Sequence, residues 1–124
     1  MSRQAYGVLP RIAEVDDLMT PRLQRRILEV HPELSFMELN GGTPLSLAKS
    51  TAGGALARLR LLGDVGFTDG LNELVGDLGQ TRLDDLLDAA AVAWTAVRVV
   101  REQAVRIPSV EEVDVRGLRM EMWR

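Results

Sequence analysis

LDDLLDAAAVAWTAVRVVR, residues 83–101, is the stretch on which the fold turns. Its body, Leu86 to Trp94, is apolar nearly all round, so the pattern predicts a long and largely buried helix. Thr81, with Asp84 three residues on, reads as a capping-box-like start. Such a helix needs a domain to bury it. A chain of 124 residues is the size of one domain, 1–124, and buries roughly two thirds of its unfolded surface.

Outward from this helix the signals weaken. On its carboxyl side, Val105 to Arg124 reads as two short strands: Leu118, Met120 and Met122 alternate with Arg119, Glu121 and Trp123, and Arg116-Gly117 marks the turn. On its amino side, a helix starts near Ser50 or Thr51 and runs to Leu62, with Leu56, Leu59 and Leu62 on one stripe and Gly63 closing it. Between the two, Leu71 to Leu78 carries a helical pattern among glycines. Further upstream, Asn40-Gly41-Gly42-Thr43-Pro44 is a loop on composition, and Leu34 to Leu39 fits either a helical turn or a short strand. Leu23 to Val30 reads as a strand that Pro32 ends, since proline has no N–H to donate. At the start, Ala5, Val8, Ile12, Val15 and Leu18 make a helical stripe, kinked or divided at Pro10 and stopped at Thr20-Pro21. The sum is an α/β domain with a thin sheet.

Composition narrows the chemistry. With 46% hydrophobic and 27% charged residues the chain is globular in character. A net charge of −3 argues against a grip on nucleic acid by the whole surface, although every basic residue except Lys49 is an arginine, suited to phosphate or carboxylate. Zero cysteines exclude disulfides, thiolate nucleophiles and cysteine-ligated zinc. No apolar run approaches the roughly 20 residues that span a bilayer, and Met1-Ser2-Arg3-Gln4 does not open a signal peptide, so the expectation is a soluble cytoplasmic protein with no membrane partner.

Three carboxylates at the head of the 83–101 helix are the leading site candidates. Asp85 and Asp88 are i,i+3 neighbours, about 5–6 Å apart at Cβ, and repel unless a cation lies between them, as in magnesium or manganese sites. The plainer account, acidic residues complementing the helix dipole by about 0.3–1 kcal/mol each, serves Asp84 and Asp85 better than Asp88, which lies a turn inside. Glu29 follows the apolar part of the 23–30 segment, where a carboxylate at a strand's carboxyl end faces a site or simply solvent. His31 is the single histidine, a ligand or base on one reading and a structural hydrogen-bonding group on the other. Lys49-Ser50-Thr51 lacks the glycine that a P-loop places before its lysine. The helix start there still suits a phosphate, or Ser50 or Thr51 as a cap.

Three stretches, SRQAYGVLPRIAEVD (2–16), EVHPELSFMELNGGTPLSLAKSTAGGALARLRLL (29–62) and DDLLDAAAVAWTAVRV (84–99), resemble in order the bacterial family named domain of unknown function 429. That family is regarded as predicted nucleases of the ribonuclease-H-like (RuvC-like) fold. The resemblance implies a two-metal mechanism with Mg2+ or Mn2+, in which paired ions activate water and stabilise the leaving oxygen of a phosphodiester. It assigns Glu29 as the fourth-strand carboxylate and Asp85 and Asp88 as the pair on the last helix. Lys49 falls in a K-x-T segment as a phosphate contact, while His31 and Glu33 match without a role. The implied partner is nucleic acid, DNA or RNA.

One departure qualifies the resemblance. Family members are about twice as long, and their amino-terminal half carries the first three strands and the first catalytic aspartate. No strand aspartate precedes Glu29 here. The expectation is therefore a carboxyl-terminal half that lacks the first three strands and is impaired as a nuclease by itself. Its alternative is a non-catalytic binding or assembly module, a remnant that homodimerises through an exposed sheet edge. A phosphate-binding module around Lys49 is the third reading.

Overall fold

The computed structural model describes residues 3–74 and 78–124. The elements in order are α1 (Arg3–Leu18), a 3₁₀ turn (Leu23–Arg25), α2 (Pro32–Leu39) and α3 (Ala52–Asp64). A second 3₁₀ turn (Leu71–Leu74), α4 (Leu83–Val100), β1 (Arg106–Ile107) and β2 (Met122–Trp123) follow. The architecture is mainly helical with a small antiparallel two-stranded sheet, mixed α and β as expected at that coarse level.

The core lies where α2, α3 and α4 meet: Phe36, Leu62, Leu87, Ala90 and Ala91 are buried together. Burying each of the larger side chains there contributes about 1.5–3 kcal/mol. The same interface buries one polar pair, Ser35 Oγ and Thr95 Oγ1, 2.8 Å apart, each hydroxyl satisfying the other. At its far end Arg98 donates to Glu38 at 3.0 Å and lies over the Trp94 ring at 4.6 Å. The predicted 83–101 helix is present, but only one face of it is buried, because Leu83 and Val100 are exposed where α2 and α3 do not reach. Its N-cap is Arg82, with no side-chain cap bond; the expected capping box does not form, since Arg82 itself binds the Asp84 carboxylate.

Elsewhere several expectations change. The predicted strand 23–30 is a 3₁₀ turn followed by a short extended piece, where Val30 alone bridges Trp123 in parallel. Thr20 causes the turn: its hydroxyl accepts from the Leu23 N–H at 3.2 Å and its carbonyl from the Gln24 N–H at 3.0 Å. Leu34 to Leu39 belongs to a helix, started by Pro32 at its first turn and capped by His31, whose Nδ1 accepts from the Glu33 N–H at 3.3 Å. On α3 the buried stripe is Gly54, Arg58 and Leu62, not Leu56 and Leu59, and the chain reverses at Gly66 (φ 76°) rather than at Gly63. Part of the 71–78 helical piece, residues 75–77, lies outside the described residues.

The tail follows its pattern in part: two short strands and the turn form, but the alternation does not set burial, since Met120 is exposed and the Glu121 side chain is only 8% exposed. Gly117 adopts φ 76° in the turn, Asp114 Oδ1 accepts from the N–H groups of Arg116 and Leu118, and Arg106 and Ile107 pair with Trp123 and Met122. The tail also anchors α1, through Arg116 on the Asp16 carboxylate (2.6 Å) and the Asp16 and Met19 carbonyls. Helix α1 runs through Pro10 without a break and leaves Ile12 and Val15 exposed. Between it and the sheet lies an open groove of about 870 Å³, lined by Ile12, Val15, Leu28, Ile107, Met120 and Met122 among others.

Candidate functional site

The loop before α3 sets the position of Lys49. Thr51 caps α3: its Oγ1 accepts from the Gly54 N–H at 3.0 Å and donates to the Ala48 carbonyl at 2.8 Å. Gly54 permits this fold-back, because a Cβ there would sit 2.7 Å from the Ala48 carbonyl carbon. Arg58, with its side chain only 3% exposed, fastens the loop from beneath. One of its terminal nitrogens donates to the carbonyls of Leu47 (3.1 Å) and Gly54 (3.0 Å), and the other grips both Glu33 oxygens (2.9 and 2.7 Å). The guanidinium also lies 5.3 Å from the centre of the Phe36 ring. Its planar fork suits this set of acceptors.

So held, Lys49 reaches the head of α4. Its Nζ stands 2.6 Å from Asp88 Oδ2. That hydrogen bond raises the lysine pKa above its ordinary value; partial burial works against the shift, and the charges of Asp88, Asp84 and Glu33 add to it. The Asp88 side chain is 18% exposed. Its second oxygen, Oδ1, is buried and has no hydrogen-bond partner among the described residues. Asp84, one turn earlier, is held by Arg82 at 3.0 and 3.2 Å, which lowers its pKa below the usual carboxylate range.

The structure thus places the sequence-predicted residues in three settings. Lys49 and Asp88 are in direct contact. Asp85 is exposed, and its charge is felt by Arg82 on the outer side of the helix head. Glu29 is exposed at the groove beside α1, where its carbonyl accepts from the Trp123 N–H at 2.9 Å. Among the described residues no three of histidine, aspartate and glutamate are arranged to hold a metal ion, so Glu29, Asp85 and Asp88 do not converge here. Asp88 offers one buried oxygen without a partner among the described residues, a hard donor of the kind magnesium takes, while its other oxygen holds Lys49.

Sequence reasoning gave Arg58 no role and left Glu33 without one. The available signal for Arg58 was its position, four residues after Gly54 and four before Leu62, on what becomes the buried stripe of α3.

A family model described as protein of unknown function (DUF429) matches residues 1–113. The chain belongs to this family. The DUF429 match takes in every candidate site residue, from Glu29 to Asp88, and ends before β2. No curated protein and no solved structure matches the chain. Among the described residues no helix is long and apolar enough to cross a membrane.

Proposed function

We propose that the chain serves in metal-dependent cleavage of phosphodiesters in DNA or RNA, as a ribonuclease-H-like nuclease in which Asp88 is the central ligand. A single observation carries this reading: Asp88 is largely buried, with one oxygen neutralised by Lys49 and the other without a partner among the described residues. A buried carboxylate oxygen left so costs free energy unless a cation or water meets it. Magnesium or manganese, when bound, supplies charge stabilisation and an activated water. In this chain Asp88 would hold the ion, Asp85 adds charge one turn earlier, and Lys49 is placed to contact a phosphate. Glu29 faces the groove.

The test is manganese titration by calorimetry with wild type and Asp88→Asn, followed by cleavage of labelled DNA and RNA. Saturable binding that the variant loses, together with cleavage, supports the proposal. Equal binding by both proteins, or no cleavage of either nucleic acid, overturns it.

The groove favours a second reading, an assembly module that homodimerises. Antiparallel apposition of two α1 helices sets Ile12 and Val15 against their counterparts and Arg11 near the acidic Asp16-Asp17 end. Sedimentation of wild type and Ile12→Glu decides it: a dimer that the substitution dissolves supports this reading, and a monomeric wild type removes it.

A further inference from the structure

We propose that Arg22, Arg25 and Arg26 form a surface that grips the sugar-phosphate backbone of a nucleic acid. The inference rests on nucleic acid as the substrate class proposed above, and adds the surface that would hold it.

The argument starts from how the other arginines are used. Arg58, Arg82, Arg98, Arg106, Arg116, Arg119 and Arg124 each pair with a carboxylate, while the exposed Arg11, Arg60 and Arg101 stand singly on α1, on α3 and at the end of α4. Arg22, Arg25 and Arg26 are exposed, and none of their guanidinium groups has a hydrogen bond or ion pair among the described residues. Three such cations within five residues repel one another, in a chain whose net charge is −3. The patch is therefore local and opposite in sign to the whole.

The backbone keeps these charges together. In a 3₁₀ turn, residues three apart superpose on one side, roughly 6 Å apart along the axis, which aligns Arg22 with Arg25 and leaves Arg26, at the C-cap, on the adjoining side. Gln24 locks the turn onto the tail: its Nε2 donates to the Arg119 carbonyl at 3.0 Å, and its Oε1 accepts from the Arg119 N–H at 2.8 Å. Arg119 returns a bond from its guanidinium to the Gln24 carbonyl at 2.9 Å. Gln24, Ile27 and Leu28 line the groove, whereas the three arginines do not. A pre-set turn spares the backbone's share of the ordering cost on meeting phosphates, and charge-assisted bonds to the guanidinium forks offset that of the side chains. Adjacent phosphates on one strand are the repeating anion that a row of forks fits.

The experiment is fluorescence anisotropy of labelled random-sequence DNA and RNA oligonucleotides with the full chain, in chelator so that nothing is cleaved. Three phosphate contacts predict a log–log salt slope of about −2.1 to −2.7, so that raising salt from about 50 to about 200 mM weakens binding about 20- to 40-fold. The variant Arg22→Ser, Arg25→Ser, Arg26→Ser, shown by circular dichroism to be folded, is expected to lose at least about tenfold in affinity and most of the slope. The triple lysine variant is expected to retain the slope, since it keeps the charge. A folded serine variant that binds like wild type, or a wild type that binds neither nucleic acid at low salt, overturns the proposal. Binding through the patch without cleavage in manganese sinks only the nuclease reading. Cleavage that is indifferent to the patch sinks only this one.

Discussion

Lys49 Nζ and Asp88 Oδ2 meet at 2.6 Å although 39 residues separate them in the chain. The pair joins the loop before α3 to the head of α4, and the Lys49 side chain remains 43% exposed while that of Asp88 is 18% exposed. The buried partner is the anion. Removing the lysine therefore leaves a carboxylate with neither oxygen satisfied among the described residues.

Lys49→Met should destabilise the fold near neutral pH, and the deficit should shrink in alkali. The folded-state lysine pKa is raised, chiefly by the Asp88 hydrogen bond. Its stabilisation is thus fully present below the unfolded-state value of about 10.4 and is lost as pH rises through the folded value. Urea unfolding of both proteins at neutral pH and above that range measures it; a gap that stays constant with pH contradicts the assignment.

Arg58 should tolerate no replacement. Arg58→Lys retains the charge but cannot fork between Glu33 and the Leu47 and Gly54 carbonyls, and Arg58→Met abandons all of them. Each change should cost about 2–3 kcal/mol, the scale of hydrogen bonds to a charged group, with Glu33 left partly solvated. Chemical denaturation gives the number, and a lysine variant within 0.5 kcal/mol of wild type, roughly the ordinary surface effect, would show the fork to be dispensable.

The cap of α3 separates two neighbouring hydroxyls. Thr51→Ala should cost about 1 kcal/mol, whereas Ser50→Ala should cost almost nothing because Thr51 alone takes the Gly54 N–H. Gly54→Ala should be worse than either, by about 1–3 kcal/mol, since its Cβ would press on the Ala48 carbonyl. Thermal unfolding of the three variants ranks them; equal losses for Ser50→Ala and Thr51→Ala would mean that both serine and threonine cap.

Ser35 and Thr95 form an isolated buried hydroxyl pair. Thr95→Val should cost about 1–2 kcal/mol by leaving the Ser35 hydroxyl unpaired, and so should Ser35→Ala by leaving Thr95 unpaired. The double variant should lose less than the sum. A strictly additive double-mutant cycle would show that the two hydroxyls do not depend on each other.

Much of this molecule is legible from local pattern. The 83–101 periodicity, the Asn40–Pro44 loop and the Gly117 turn each specify their structure through neighbours in sequence, where spacing and turn chemistry act directly. The 23–30 segment was misread because β-like composition makes a strand only when a ladder pairs it, and Val30 alone finds a bridge there. The buried face of α3 was misread for a related reason: Leu56 and Leu59 have the apolar chemistry of a core, yet α2 and α4 meet the other side of the helix.

The candidate site divides in the same way. That Asp84, Asp85 and Asp88 crowd one helix head follows from helical spacing, and the carboxylates could be named without coordinates. Asp84 finds its cation locally in Arg82, but the pairing of Asp88 was settled only in three dimensions, by the Thr51 cap, the close backbone approach that Gly54 allows and the Arg58 clamp that together carry Lys49 to Asp88. Local chemistry sets helix ends and turns, because its partners lie a few residues away. A charge pair across 39 residues depends on packing that closes the chain between them, and no local pattern encodes that distance.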